Sequence, residues 1–374
     1  MRGENELRPI TTLQVAAIVV SSTIGGGVLA VPLLAVRAAD TGAPLVTLLG
    51  TLVGLFGLII VTVLGIRFPD QSIIQYSEDI IGRGISFVAS LSIVIFFSIL
   101  AAAISREFGE VVITSILKRT PLEVTVLAML LLAAVFARTD IVTFASIHLF
   151  YLPFIMVPGL TIVSLSLKNS RVLNLLPVWG NEHHDLFLWI FTIAALFQGS
   201  FIITMVIPFM KSPTKAFLSM IWGWAIPSLL YVLIVISSVA VFGPEEIKLL
   251  MWPTLELAKT TALPANILER LDAAFLAVWV TNVFTTMLST FYLTVKSITQ
   301  MFHLKEHKIF AFFMLPFIFL IAMLPQSVLE LYEFAEYAGK LGLYITIGYP
   351  LLLLLIAVIR KKRGKPVAVK DSSS

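Results

Sequence analysis

Three adjacent glycines stand out as the residues best placed for chemistry: Thr23-Ile24-Gly25-Gly26-Gly27-Val28 lies in the middle of a run with no charged side chain. Each glycine costs a helix interior about 1 kcal/mol relative to alanine, and Pro32, five residues beyond Gly27, removes a further backbone donor. A helix built only to cross lipid would not gather those penalties. Close packing through small residues or a flexible kink is the structural alternative, although tight packing spaces its glycines four apart. Phe197-Gln198-Gly199-Ser200, with Pro208 nine residues after Gly199, repeats the pattern in milder form. Where such helices break, the N–H groups around Gly26, Gly27 and Val28 can hold a carboxylate, as helix N-termini hold anions. The carbonyls of Thr23 and Ile24 then face a cation or an ammonium. Gly199 and Ser200 close the site from the facing helix, and Phe197 and Phe201 supply apolar walls. Such a set suits a small zwitterion.

The elements that must position these residues are membrane spans. Of 374 residues, 58% are hydrophobic and 13% charged, about half the charge of a soluble domain. No Asp, Glu, Lys or Arg occurs between Pro9 and Val36, Thr41 and Ile66, or Gly84 and Ser105. Each run exceeds the ~18 apolar residues that mark a transmembrane helix. Runs bounded by charges give ten spans: Ile10–Val36, Thr41–Ile66, Gly84–Leu117, Pro121–Ala137, Ile141–Leu167, Leu186–Met210, Ala216–Phe242, Ala273–Val295, Ile309–Leu329 and Leu341–Ile359. The fourth is short enough to be a re-entrant segment. The chain reads as one membrane domain, with residues 1–170 and 186–360 as two five-helix halves and 361–374 as a basic tail. Five is odd, so the second half must run inverted, and 173 residues separate Gly26 from Gly199, close to half the chain. Interrupted spans at matching positions of two inverted halves are the sequence mark of a transporter-type binding site.

Sixteen basic residues fall on the face that carries the termini and nine on the other, so the positive-inside rule makes both termini cytoplasmic. The bases from Arg360 through Lys365 read as a stop-transfer and headgroup anchor. The chain's basic residues as a whole are spread over loops and one tail, which argues against nucleic acid. With no cysteine, disulfides and thiolate chemistry are excluded. The loop pair His183–His184 has no third ligand cluster, so no metal site is expected, and neither is any cofactor. A short surface helix is expected near Leu249–Thr261. No nucleophile–base constellation suggests an enzyme.

Other polar groups within the spans carry two readings each. Arg106, Glu107 and Glu110 sit about two thirds of the way to the outer face, as an outer-vestibule ion pair, structural or gating, or as ligand contacts. Phe96 and Phe97 are nearer the midplane and line a cavity or pack in the core. His148, the only titratable side chain in the fifth span, is a proton relay or a satisfied core histidine. Thr281, Asn282, Thr285, Thr286, Ser289 and Thr290 form a hydroxyl stripe that bonds neighbouring helices or supplies oxygens to a sodium-like site.

In order along the ten spans, Ile24-Gly25-Gly26-Gly27-Val28-Leu29-Ala30-Val31-Pro32, Arg67-Phe68-Pro69, Asn174-Leu175-Leu176-Pro177, Gly199 with Pro208-Phe209, and Tyr349-Pro350 before a basic tail make the whole chain resemble the B-subunit family of spore germinant receptors. That family is a branch of the amino acid–polyamine–organocation (APC) transporter superfamily. The resemblance implies an all-α LeuT/APC-like fold, a 5+5 inverted repeat with broken first and sixth helices. It implies a receptor subunit in the spore inner membrane that binds an amino acid or similar nutrient and works with A and C subunits. A proton- or sodium-coupled amino acid permease is the alternative. Family members commonly carry an acidic residue two positions after the span-six glycine, where this chain has Phe201.

Overall fold

The first apolar run is two helices, α1 (Thr12–Ile24) and α2 (Gly27–Ala39). At the start of α1, the Thr11 hydroxyl accepts from the Gln14 N–H while the Gln14 side chain accepts from the Thr11 N–H, at 3.3 and 2.9 Å. This reciprocal box satisfies two donors that a helix start leaves free. The stop is Gly25, whose φ of 22° and ψ of −137° lie where a β-carbon is not tolerated. A single turn, Asp40–Gly42, leads into α3 (Ala43–Arg67), followed by α4 (Ile73–Ile81), α5 (Arg83–Ser115), α6 (Leu122–Phe136) and α7 (Ile141–Ser166). The second interrupted span starts as α8 (Leu186–Ala195), then bends by 46° into tighter 3-10 turns around the four-residue α9 (Ile203–Val206). After it come α10 (Ala216–Phe242), α11 (Pro244–Leu249), α12 (Pro253–Thr260), α13 (Leu271–Met301), α14 (Lys308–Ala322), α15 (Val328–Leu343) and α16 (Tyr349–Ile359). This computed structural model describes residues 10–180, 186–260, 271–304 and 306–364. The His183–His184 pair, part of the loop before α13 and the end of the basic tail lie outside the described residues.

Among the described residues, six helical stretches are long and apolar enough to cross a bilayer, and the bent pair Trp189–Ala195 with Gln198–Phe209 makes a seventh. The helices α1, α6 and α14 are shorter and apolar. Leu48, Phe56, Ile85, Phe150, Phe313 and Leu352 are among many large apolar side chains on the outside, a coat that only lipid tolerates at this extent. The chain is an integral membrane protein. Span α13 is the central post: 78% of its apolar window is buried, against 28% for the peripheral α7.

Several sequence boundaries move. Expected as a span beginning at Leu341, the last one begins with α15 at Val328 and runs through a π-helical turn at Tyr344–Gly348 into α16. Glu330, Glu333, Glu336 and Lys340 had marked this stretch as a loop. Spaced three or four apart, they share one helix face, and Lys340 Nζ pairs with Glu336 Oε1 at 2.6 Å. The short loop helix expected near Leu249–Thr261 is α12, and a further helix, α11, precedes it, separated by the extended Leu250. The amphipathic α4 was not anticipated. It is set by a second reciprocal box, Ser72 with Gln75. The eighth span extends to Met301 instead of ending at Val295. The Arg67-Phe68-Pro69 motif is structural. Arg67 donates to the carbonyls of Lys362 and Ala357 at 2.6 and 3.0 Å, and Phe68 stacks on Tyr76, so the chain end after α16 is tied beneath α3 and α4.

What fastens α1 to its neighbours is a chain of three buried side chains. His148 on α7 has Nδ1 2.9 Å from the Phe144 carbonyl, an obligatory acceptor, so Nδ1 carries the proton. Nε2 then accepts from Ser289 of α13 at 2.8 Å, and Ser289 accepts from Ser22 of α1 at 2.6 Å. His148→Leu leaves the Ser289 hydroxyl without its acceptor, a loss of about 1–3 kcal/mol for a buried group. A lower thermal midpoint of the detergent-solubilised variant checks this. At the start of α7, the Asp140 carboxylate accepts from the Thr143 hydroxyl at 2.7 Å and from the N–H groups of Val142 and Thr143 at 2.9 and 3.0 Å. These bonds, the Thr143 hydroxyl foremost, hold its carboxyl below the usual carboxylate range. A depressed carboxyl contributes stability above the unfolded value near ~3.9 and loses it as pH falls through the folded one. Asp140→Ala therefore lowers stability by about 1 kcal/mol at pH 7, with a difference from wild type that shrinks in acid, measurable in denaturation series at the two pH values.

Candidate functional site

The two interrupted spans touch at their breaks. Gly199 lies so close to the first break that a β-carbon on it would stand 1.9 Å from the Ser22 carbonyl oxygen. On the other side of that break, a β-carbon at Gly26 would fall 2.0 Å from Glu107 Oε2 of α5, and one at Gly25 would fall 2.6 Å from Thr286 Oγ1 of α13. The consecutive glycines thus let three elements close on bare peptide groups at one level of the bundle. Small-residue packing and helix interruption, posed as alternatives from sequence, occur together here.

Between the breaks lies a cavity of about 140 Å³. Its floor is the unwound stretch around Gly25 and Gly26, with Glu107 on one wall and Gln198–Gly199 on the other. Trp252 just before α12 and Tyr332 and Glu336 of α15 complete it. Of the ligand set expected from sequence, Thr23, Gly25, Gly26, Gly27, Gln198 and Gly199 border this space. Ile24 and Val28 face a smaller apolar crevice against α7 and α13, and Phe197, Ser200 and Phe201 face another against α3. Phe97 is buried behind the second break, its ring 5.5 Å from that of Phe201. The aromatic walls therefore stand behind the cavity and do not line it.

The carbonyl side of the first break is already served. The Tyr231 hydroxyl of α10 sits 2.9 Å from the carbonyl oxygens of both Thr23 and Ile24. Asn282 donates to the Gly25 carbonyl at 3.3 Å, and Thr286 donates to that of Ser21 at 2.7 Å. Thr285 bonds its own helix at Asn282 O, 2.8 Å away. Groups of the α13 stripe thus donate to the broken helix at Gly25 and Ser21, while the Thr23 and Ile24 carbonyls, expected to meet a cation, share the one Tyr231 hydroxyl proton. His148 serves α1 through Ser289 as described and does not border the cavity.

The N–H side holds a second departure. Arg106 and Glu110, four residues apart, lie on one face and pair at 2.9 Å, with Arg106 also 3.9 Å from Met323 Sδ. Glu107, a residue on, points about 100° away and lies against Gly26, where a ligand carboxylate was expected. The presumed trio of charges is thus a pair and a separate carboxylate. Its Oε1 is buried and makes no hydrogen bond. The sequence missed Thr192, Trp252, Tyr332 and Glu336 as cavity residues. The first lacks any distinguishing spacing, and the rest fall in stretches that charge and proline content assign to loops.

Residues 9–330 match the profile of a family described as "Spore germination protein". Among curated relatives, spore germination protein YndE of Bacillus subtilis (strain 168) is 25% identical over 359 residues, covering 95% of this chain and 98% of that one. Spore germination protein GerLB of Bacillus cereus is 24% identical over 366 residues, covering 95% and 96%. Among solved structures, MhsT in complex with L-phenylalanine superposes with a TM-score of 0.65 at 11% identity, covering 94% of this chain and 89% of that one. A manganese transporter of Eremococcus coleocola gives 0.64 at 12% identity, covering 95% and 81%. These likenesses give the fold, that of LeuT-type transporters with two interrupted helices. With the profile spanning most of its length, the chain belongs to the spore germination protein family.

Proposed function

We propose that this chain is the nutrient-binding subunit of a germinant receptor in the spore inner membrane. It crosses the bilayer ten times, with α1–α2, α8–α9 and α15–α16 each as one crossing and α6 and α14 as full ones, in two inverted halves of five with both termini cytoplasmic. The ligand is a small nutrient, an amino acid or a similar molecule, seated between Gly26 and Gly199, and the A and C subunits read the resulting change in shape. The observation that carries this reading is the cavity itself: two interrupted helices abutting at Gly199 and Ser22, around a space bordered by residues, four of which carry a buried polar atom with no hydrogen bond. Unwound backbone at membrane depth persists only where it is covered by protein or lines such a space. MhsT, of the same fold, is solved with an amino acid bound.

Signalling requires the ligand to favour one arrangement of the helices over another, because it shifts an equilibrium only by its differential affinity. We assign the holding of that equilibrium to a backbone strap in which Ile10 N–H donates to Phe209 O at 3.2 Å and Lys211 N–H donates to Ile10 O at 2.9 Å. It joins the start of the first broken span to the end of the second. A second reading, a proton- or sodium-coupled amino acid permease, is favoured by the fold shared with a sodium-coupled sialic acid symporter, at a TM-score of 0.56.

Gly199→Leu and Gly26→Leu drive a side chain into the Ser22 carbonyl and into Glu107. Spores carrying either variant as their only copy of this receptor are expected to lose nutrient-triggered germination while the protein still reaches the membrane, read by germination assay and immunoblot. Normal nutrient sensitivity in both would refute the site. Reconstituted wild-type protein is expected to bind without concentrating labelled amino acids in vesicles under a sodium or proton gradient, and robust ion-driven accumulation would establish the permease.

A further inference from the structure

Twelve buried side-chain nitrogen or oxygen atoms among the described residues make no hydrogen bond. Four of them belong to residues on the one cavity between the breaks: Glu107 Oε1, Thr192 Oγ1, Gln198 Oε1 and Trp252 Nε1. Buried polar groups are almost always paired, so these four atoms mark the walls of this cavity as a place where the protein leaves polar groups unsatisfied. Thr192, Gln198 and Trp252 are each at most 5% exposed, so bulk water does not serve them.

The charges say which ligand. Two acids border the cavity, Glu107 and Glu336. Glu336 is held by Lys340 at 2.6 Å, and the arginine beside Glu107 in sequence is committed to Glu110. Among the described residues, no lysine, arginine or histidine borders the space. The Glu107 carboxylate is half-buried, and among the described residues its positive neighbour on the cavity is the partial charge of the α2 N-terminus at Gly26, with no basic side chain. The positive end of α2, where a ligand carboxylate would otherwise settle, is already covered by Glu107 at Gly26.

We propose that Glu107 is the counter-ion for a protonated primary amine on the ligand, and that the cavity selects small ammonium compounds whether or not they carry a carboxylate. Gln198 Oε1 offers the ammonium a second acceptor, and the Trp252 N–H is a donor suited to a carbonyl or hydroxyl oxygen of the ligand. The proposal rests on the cavity being the nutrient site and specifies its chemistry.

The test uses purified full-length protein and three probes that differ only in charge: L-valine, L-valinamide, which keeps the ammonium without the carboxylate, and N-acetyl-L-valine, which keeps the carboxylate without the ammonium. Binding of the amide at least as tight as that of the free amino acid, with no binding of the N-acetyl compound, is expected. Glu107→Gln preserves shape and is expected to weaken amide binding by roughly 30-fold or more, the usual scale for truncating one partner of a buried charge pair, while leaving the ligand-free thermal midpoint no lower. Amide affinity within about threefold of wild type in Glu107→Gln, equal binding of the N-acetyl compound, or no binding of either ammonium probe overturns the proposal. Adenosine and glucose separate its failure from that of the site. If either binds wild type, is lost in Gly199→Leu and ignores Glu107→Gln, the cavity stands and the counter-ion assignment falls. If Gly199→Leu and Gly26→Leu spores germinate normally, the site falls and the assignment with it.

Discussion

The contact on which the rest of this structure depends is between backbone and backbone: Gly199 of one interrupted span against the Ser22 carbonyl of the other. Any side chain at position 199 would occupy the carbonyl's place. Because the two spans meet through peptide groups, their unwound stretches lie at the same depth, and the polar groups they release converge on one small space. Helix continuity would have hidden those groups in i to i−4 bonds, and separation of the spans would have left them facing apolar side chains. Adjacent glycines and tight turns are destabilising locally. They persist because neighbouring elements supply compensating bonds, Tyr231 from α10 and Asn282 and Thr286 from α13.

Those compensations divide the break chemically. Its carbonyl half is capped by protein donors and belongs to the scaffold. Its amide half faces Glu107, whose Oε1 is buried without a hydrogen bond. The site is therefore an acidic one, although the broken-helix motif alone suggests anion binding. Phe201, two positions after the span-six glycine, stacks on Phe97 away from the cavity. In this chain the carboxylate enters from α5.

Much of this was legible in the residues. Charge-free runs located most of the long apolar helices within a few positions, because a bilayer excludes charge over a fixed thickness. Gly25-Gly26-Gly27 and Gly199 located the breaks, since nothing but a break or a close approach excuses them. What stayed hidden depended on geometry in three dimensions. The charges at Glu330, Glu333, Glu336 and Lys340 concealed the first half of α15, because their common helix face is visible only once the stretch is taken as helical. Arg106, Glu107 and Glu110 read as one cluster in sequence, and only the rotation of α5 shows the middle residue turned to a different neighbour. His148 and Tyr231 offered no signal that their partners would be on α13 and α1, more than a hundred residues away in each case.

The central claim, that a nutrient is held where the two interrupted helices meet, is tested most directly by an experimental density map of the protein saturated with a nutrient that triggers germination. The account expects ligand density between Gly26 and Gly199, with an amino group within hydrogen-bond distance of the Glu107 carboxylate. Ligand density elsewhere, with the space between the breaks closed or empty, would contradict it.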